Sequence, residues 1–196
     1  MAVRACIANR EGAVCVTVSD RIVLPSELLL WPAEERATVS TFIVPLTPGY
    51  RLSIVAELNA LGLMRRPSLL DPTAIAAESA TVGEGAYVNA GAILAGAVEV
   101  GSYATVNRGA SVGHHGRIRP YAAIGPGAVL AGSVMVGEGA FIGAGAVILP
   151  GCAIGSNAVV AAGAVVTRDV AANSVVTGNP AKTVRTGIAG YNNVGV

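Results

Sequence analysis

The chain has 196 residues, with 13 Lys or Arg, 12 Asp or Glu and a formal net charge of +1. Nucleic acid is excluded as a partner, because duplex binding needs a concentrated basic surface. The chain is 53% hydrophobic but only 4% aromatic, with 25 glycines, which implies a thin core of small side chains repeated many times.

The N-terminal sequence Met-Ala-Val-Arg-Ala-Cys lacks the apolar run of a signal peptide. No aliphatic cluster approaches the length of a membrane span. A soluble, cytoplasmic protein without membrane contact is the expectation. Cys6, Cys15 and Cys152 are odd in number and widely spaced, a pattern of neither a disulfide framework nor a zinc site.

Residues 1–66 read as a small α/β cap. Short strands are expected at 4–9, 13–18 and 41–46. A helix is expected over 48–61, closed by Gly62.

From Leu70 the sequence keeps a six-residue phase. Leu70, Ala76, Val82, Val88, Leu94, Val100, Val106, Val112, Ile118, Ile124, Leu130, Val136, Ile142, Ile148, Ile154, Val160 and Val166 follow at unbroken spacing. A small residue comes four positions after each, and glycine often directly after it. A plain strand has period two and an amphipathic helix period 3.6, so neither accounts for this phase. Short strands joined by corners do. Three hexads make a coil of 18 residues, and stacked coils bury one another's inner faces. Residues 67–183 are therefore expected to form a β-helix. After Val170 the phase is lost, and Thr177 to Lys182 reads as a turn-rich exit. Residues 184–196 read as a tail, loose from Gly187.

The only histidines, His114 and His115, fall at a corner midway along the repeat. A solvated surface pair is the plain reading. Against it, Arg108, Arg117 and Arg119 flank the pair in a chain of few charges, and a neutral imidazole is the natural general base near pH 7. One coil further on lies Gly132. Its backbone N–H would suit a thioester carbonyl, and its bare corner would leave room for a pantetheine arm. Asn89 and Asn107 are also one coil apart. They read either as a ladder closing the corners or, for Asn107, as a substrate contact near His114. Cys152 falls at an inward position and reads as core. Glu84, Glu99 and Glu138 read as solvated. A zinc enzyme on this architecture would need three histidine ligands, two on one chain at wider spacing, which an adjacent pair does not supply. No metal is expected.

Four runs carry a resemblance: N-R-G-A-S-V-G-H-H at 107–115, G-P-G-A-V-L-A-G-S-V-M-V-G-E-G-A-F-I-G-A-G-A-V-I-L-P at 125–150, A-V-V-A-A-G-A-V-V-T-R-D-V at 158–170 and G-N-P-A-K at 178–182. They resemble the hexapeptide-repeat sugar acetyltransferases of the sialic-acid O-acetyltransferase and bacillosamine N-acetyltransferase type. The resemblance implies a mainly β fold, a left-handed parallel β-helix with a small N-terminal cap. It implies a homotrimer that uses acetyl-CoA and a small-molecule acceptor, a sugar that is nucleotide-linked in the family. By position it makes His114 the catalytic base, Asn107 a polar residue near the acceptor and Gly132 an amide on the acetyl carbonyl. Gly143, Ala144 and Gly145, with Ala161, Ala162 and Gly163, would line the pantetheine. Lys182, with Arg168 and Arg185, would meet the nucleotide phosphates.

The sequence departs from the family at two places. The family's base is flanked by acidic residues, one of which orients the imidazole; here Gly113 and His115 flank His114. His115 would replace the carboxylate or be the base itself. A second family histidine is Ala123 here. The cap also lacks the Gly-rich turn and the length of a full sugar-nucleotide domain. A non-catalytic scaffold or binding module is the alternative reading.

Overall fold

The computed structural model describes residues 6–8, 14–18, 21–23, 30–43 and 47–196. From Leu69 to Val166 one unit recurs seventeen times: a two-residue strand followed by a four-residue turn. Each aliphatic of the six-residue phase is the second residue of its strand. The strands stack in parallel with partners eighteen residues apart, as in Val88↔Val106 and Val106↔Ile124. The result is a left-handed parallel β-helix with three flat faces.

The first face runs from Leu69–Leu70 to Val159–Val160 and the second from Ile75–Ala76 to Val165–Val166. The third runs from Thr81–Val82 to Ala153–Ile154. The second residue of each strand points inward. The small residue before the next strand shares that interior, and one continuous core runs from Ala86 to Val176. Burial of each Val, Leu or Ile side chain contributes roughly 1.5–3 kcal/mol. The first coil has no coil beneath it, so Leu70 stays 40% exposed.

The turns repeat as strictly as the strands. From Gly85 to Gly163 the third residue of every turn is left-handed, with φ between +56° and +72°. Three columns of such residues mark the three corners. Between the first and second faces stand Gly91, Gly109, Gly127, Gly145 and Gly163, the glycine corner. Between the second and third stand Ala97, His115, Ser133 and Gly151, the histidine corner. Between the third and first stand Gly85, Tyr103, Tyr121, Gly139 and Asn157, the tyrosine corner.

The cap packs on the tyrosine corner. Its strands β1 (Cys6–Ala8), β2 (Val14–Val18) and β3 (Arg21–Val23) pair antiparallel in that order. The two expected N-terminal strands are present, and residues 4, 5, 9 and 13 lie outside the described ones. The strand expected at 41–46 is not formed at 41–43, and residues 44–46 lie outside the description. A single bridge from Ser40 to Arg65 stands there, with Thr41 N–H donating to the Arg65 carbonyl at 2.9 Å. The segment is drawn into packing instead: Val39, Thr41 and Ile43 are buried, and Val39 and Ile43 share a core with Ile54, Val55 and Leu58.

Among the described residues the cap has two helices, α1 (Ala33–Thr38) and α2 (Pro48–Ala60). Proline suits the first position of α2 because its missing N–H would have no helical partner there. Gly62, at φ +73°, turns the chain out after it. Ile54, Val55 and Leu58 of α2 join Val39, Ile43, Leu61 and Leu63 in a second core, against which Trp31, Tyr103 and Tyr121 pack. Arg51 of α2 is fully buried there. It donates to the carbonyls of Tyr121 and of Ala122, the latter at 3.1 Å. Burial pushes its guanidinium down to about 9, with Tyr121 partly opposing.

The C-terminal segment is not loose. Ser174–Gly178 adds to the first face, but Val159 now pairs with Val175, an offset of sixteen. Ala181–Thr186 then returns antiparallel to it. Beyond Gly187, Tyr191 stacks on Phe141 with ring centroids 3.6 Å apart, and Asn192 donates to the Thr47 hydroxyl at 3.3 Å. Val196 exchanges two hydrogen bonds with the Asn157 side chain, at 3.0 and 3.2 Å. An aromatic ring and side-chain amides anchor this stretch, and they leave no periodic trace in the sequence.

Candidate functional site

His114 and His115 occupy the turn between Ser111–Val112 and Arg117–Ile118, and both are exposed. The turn holds one residue of each kind the corner requires. His114 precedes the left-handed position and His115, at φ +57°, fills it. Their Nδ1 atoms are 3.1 Å apart and the rings meet edge to face at 85°. Neither bonds a carboxylate among the described residues.

The His114 imidazole lies over Gly132 of the next coil. A Cβ on Gly132 would meet the His114 Nε2, with Cε1 at 2.6 Å and Cδ2 at 3.1 Å. Glycine is thus what lets the ring lie down along the column. The bare corner at Gly132 is filled by this imidazole, so the room expected there for a pantetheine arm is taken. The Gly132 N–H makes no hydrogen bond among the described residues. A basic nitrogen and an uncommitted backbone donor therefore stand side by side, as base-assisted acyl chemistry requires.

Asn107 is not beside His114. It belongs to the glycine corner, at the opposite end of Ser111–Val112. Its Oδ1 accepts from Asn89 Nδ2 at 3.0 Å and from the Arg108 N–H at 2.8 Å. The ladder between corners is present, and Asn107 Nδ2 makes no hydrogen bond among the described residues.

Gly143, Ala144, Gly145, Ala161, Ala162 and Gly163 also fall on the glycine corner. A Cβ on Gly109, Gly127, Gly145 or Gly163 would meet nothing within 4 Å. Along its left-handed column this edge carries backbone and no side chain from Gly91 to Gly163. Gly109 and Gly127 belong to the same column, and its signal is in the sequence: glycine stands at every eighteenth residue from Gly91 to Gly163.

Arg168 is exposed in the segment after Val165–Val166, where the eighteen-residue register gives way to the Ile154–Val170 bridge. Lys182 and Arg185 lie on the outer strand Ala181–Thr186, exposed, at the edge of the first face. The three cations share one end of the molecule but not one face. Cys152 is 6% exposed, and burial pushes its thiol above the usual range, with Asp169 adding to the shift. Glu84, Glu99 and Glu138 are exposed, and Glu99 faces Arg117 at 3.6 Å. No helix among the described residues is long and apolar enough to cross a membrane.

The sequence matches the family model described as bacterial transferase hexapeptide (six repeats) over residues 115–149 and 133–168. A histidine-to-asparagine variant of perosamine N-acetyltransferase from Caulobacter crescentus, in complex with CoA and GDP-perosamine, is similar at 30% identity and a TM-score of 0.77. The match covers 86% of this chain and 80% of that one. WeeI from Acinetobacter baumannii is similar at 27% identity and a TM-score of 0.77, covering 86% and 80%. The acetyltransferase domain of PglB from Neisseria gonorrhoeae, in complex with acetyl coenzyme A, is 30% identical with a TM-score of 0.61, covering 82% and 77%. None of the curated proteins matches the sequence.

Proposed function

The chain belongs to the hexapeptide-repeat sugar acetyltransferases, and on that premise we propose that it acetylates an amine or hydroxyl of a sugar-type acceptor with His114 as general base. Acetyl-CoA is the cosubstrate and supplies an acetyl thioester, whose carbonyl carbon accepts the acceptor's lone pair as its C–S bond breaks. His114 Nε2 takes the proton that the acceptor loses and returns it to the departing sulfur. The Gly132 N–H donates to the carbonyl oxygen as charge builds there. The observation that carries this reading is the His114 ring lying over the uncommitted Gly132 amide.

The glycine corner supports the cosubstrate's place. Its column of bare glycines from Gly109 to Gly163, beside the small Ala144 and Ala162, suits a narrow pantetheine arm. Asn107 stands beside the start of that column and is proposed to contact the acceptor. Arg168 and Lys182 are proposed to meet the phosphates at the far end.

The two halves of this site border one face from opposite sides. The outward row of the second face is Ile75, Ile93, Ser111, Val129, Val147 and Val165. Ile75, Ile93 and Val129 are 64%, 42% and 43% exposed, an apolar strip that favours association. A homotrimer packed about this face would set the histidine corner of one chain against the glycine corner of the next. Sedimentation of the purified protein is expected to give three chains per particle. Val129→Lys is expected to give monomers without turnover; a wild-type monomer would remove this arrangement. The reaction is proposed to take place in the cytoplasm, where its cosubstrate is available.

Calorimetry tests the reading. Wild type is expected to bind acetyl-CoA, and His114→Ala to bind it equally while losing about 10²–10⁴-fold in turnover. Wild type that fails to bind acetyl-CoA would sink the acetyltransferase reading. Unchanged turnover in His114→Ala would remove His114 as the base. A panel of free and nucleotide-linked amino sugars, GDP-perosamine among them, identifies the acceptor. The antiparallel pairing of β1–β3 differs from a parallel nucleotide-binding unit, so both kinds belong in the panel. The second reading, a non-catalytic scaffold, is favoured by the lack of a carboxylate at the histidines. Binding of acetyl-CoA without transfer to any acceptor would support it.

A further inference from the structure

His115 holds a conformation that glycine adopts freely. Glycine fills eight of the fourteen left-handed turn positions from 85 to 163. A residue with a Cβ is strained there by about 1–2 kcal/mol. Packing does not offset this, because the His115 ring is exposed. Its described side-chain contact is with His114, Nδ1 to Nδ1 at 3.1 Å.

Two ring nitrogens at that separation share one proton. One Nδ1 donates and the other accepts. The two arrangements differ in consequence. If His115 donates, the proton of neutral His114 sits on Nε2, and that nitrogen has no lone pair for a substrate proton. If His114 donates, its Nε2 lone pair is free and lies over Gly132. Only the second arrangement makes His114 a base.

We infer that His115 is the positioning residue of this site: its Nδ1 accepts the His114 Nδ1–H, holding the tautomer that leaves His114 Nε2 basic beside the Gly132 amide. This rests on the acetyltransferase reading above. When His114 Nε2 takes the acceptor's proton, the Nδ1–H bond to His115 becomes charge-assisted and strengthens. In this arrangement the His115 ring carries its own proton on Nε2. A neutral imidazole here does the orienting that a buried carboxylate does in other base-assisted sites. The left-handed turn is what swings the second ring back against the first.

Two measurements test the inference. Nitrogen NMR of the full chain carrying isotope-labelled histidine reports each ring's tautomer without acceptor or acetyl-CoA. The expected result is His114 with its proton on Nδ1; a neutral His114 protonated on Nε2 overturns the inference. The second measurement is turnover. His115→Gly relieves the backbone strain, so its melting temperature is expected to equal or exceed that of wild type. Its kcat is expected to fall about 10–100-fold, as when the hydrogen-bond partner of a working histidine is removed, with KM for acetyl-CoA unchanged. His115→Asn, which tolerates positive φ and offers an acceptor oxygen, is expected to recover most of that loss. Wild-type kcat in His115→Gly would overturn the inference. Absence of acetyl-CoA binding by wild type would instead sink the parent reading and leave the tautomer result standing.

Discussion

At the tyrosine corner the left-handed turn residues Tyr103 and Tyr121 stack with ring centroids 5.2 Å apart, and the cap closes over them. Arg51 and Arg66 are buried beside them. Arg66 donates to Asn59 Oδ1 and, at 2.7 Å, to the Leu63 carbonyl. At the histidine corner the same backbone turn carries His114 and His115, and both rings stand in solvent. The strand pairs and φ values leading into the two corners are alike. The difference lies in what covers them. One corner joins two parts of the chain, and its aromatic rings gain by burial. The other is left open, and its rings gain only what they offer each other. A regular solenoid can thus bury one edge and leave another open without altering its backbone.

Two substitutions can break or sharpen that contrast. The larger effect is expected from Arg51→Ala. It removes a fully buried side chain and leaves two carbonyls without its donors, which should destabilise the protein by about 2–5 kcal/mol. A denaturant midpoint measures it. Acetyl-CoA binding to the folded variant should survive, because the glycine column is on another corner. Loss of binding there would show that the corners are coupled. The smaller effect belongs to Gly132→Ala. Its φ is not left-handed, and the clash is with the end of a surface ring, so stability should stay within about 0.5 kcal/mol. Displacing the imidazole should still lower turnover about tenfold, roughly 1.4 kcal/mol. A variant that turns over normally would mean that the ring's place over Gly132 is not the working one.

The β-helix was legible almost completely. Six-residue spacing places every inward aliphatic from Leu70 to Val166 at the second position of its strand, because stacking permits no drift in phase. The pairing of His114 with Gly132 followed from the same register. The same register also separates Asn107 from His114, since consecutive turns of a three-hexad coil occupy different corners; closeness in sequence is not closeness in space here. Asn107 and His114 lie seven residues apart in sequence and at two ends of one strand. The cap was read less well. Its short helix α1 has too few residues for a visible period, and its lone bridge at Ser40 depends on Arg65, 25 positions away. The contacts of Tyr191 with Phe141 and of Val196 with Asn157 could not be read in advance, because they depend on where the last hairpin sends the chain.

That hairpin has a consequence for assembly. Parallel coils present an edge that invites another coil, and an exposed edge of this kind is a template for filament growth. On the first face the stack shortens its step from eighteen residues to sixteen and then reverses strand direction with Ala181–Thr186. An incoming parallel strand would find an antiparallel neighbour and a broken register. On that face the solenoid ends in a terminator that limits polymerisation.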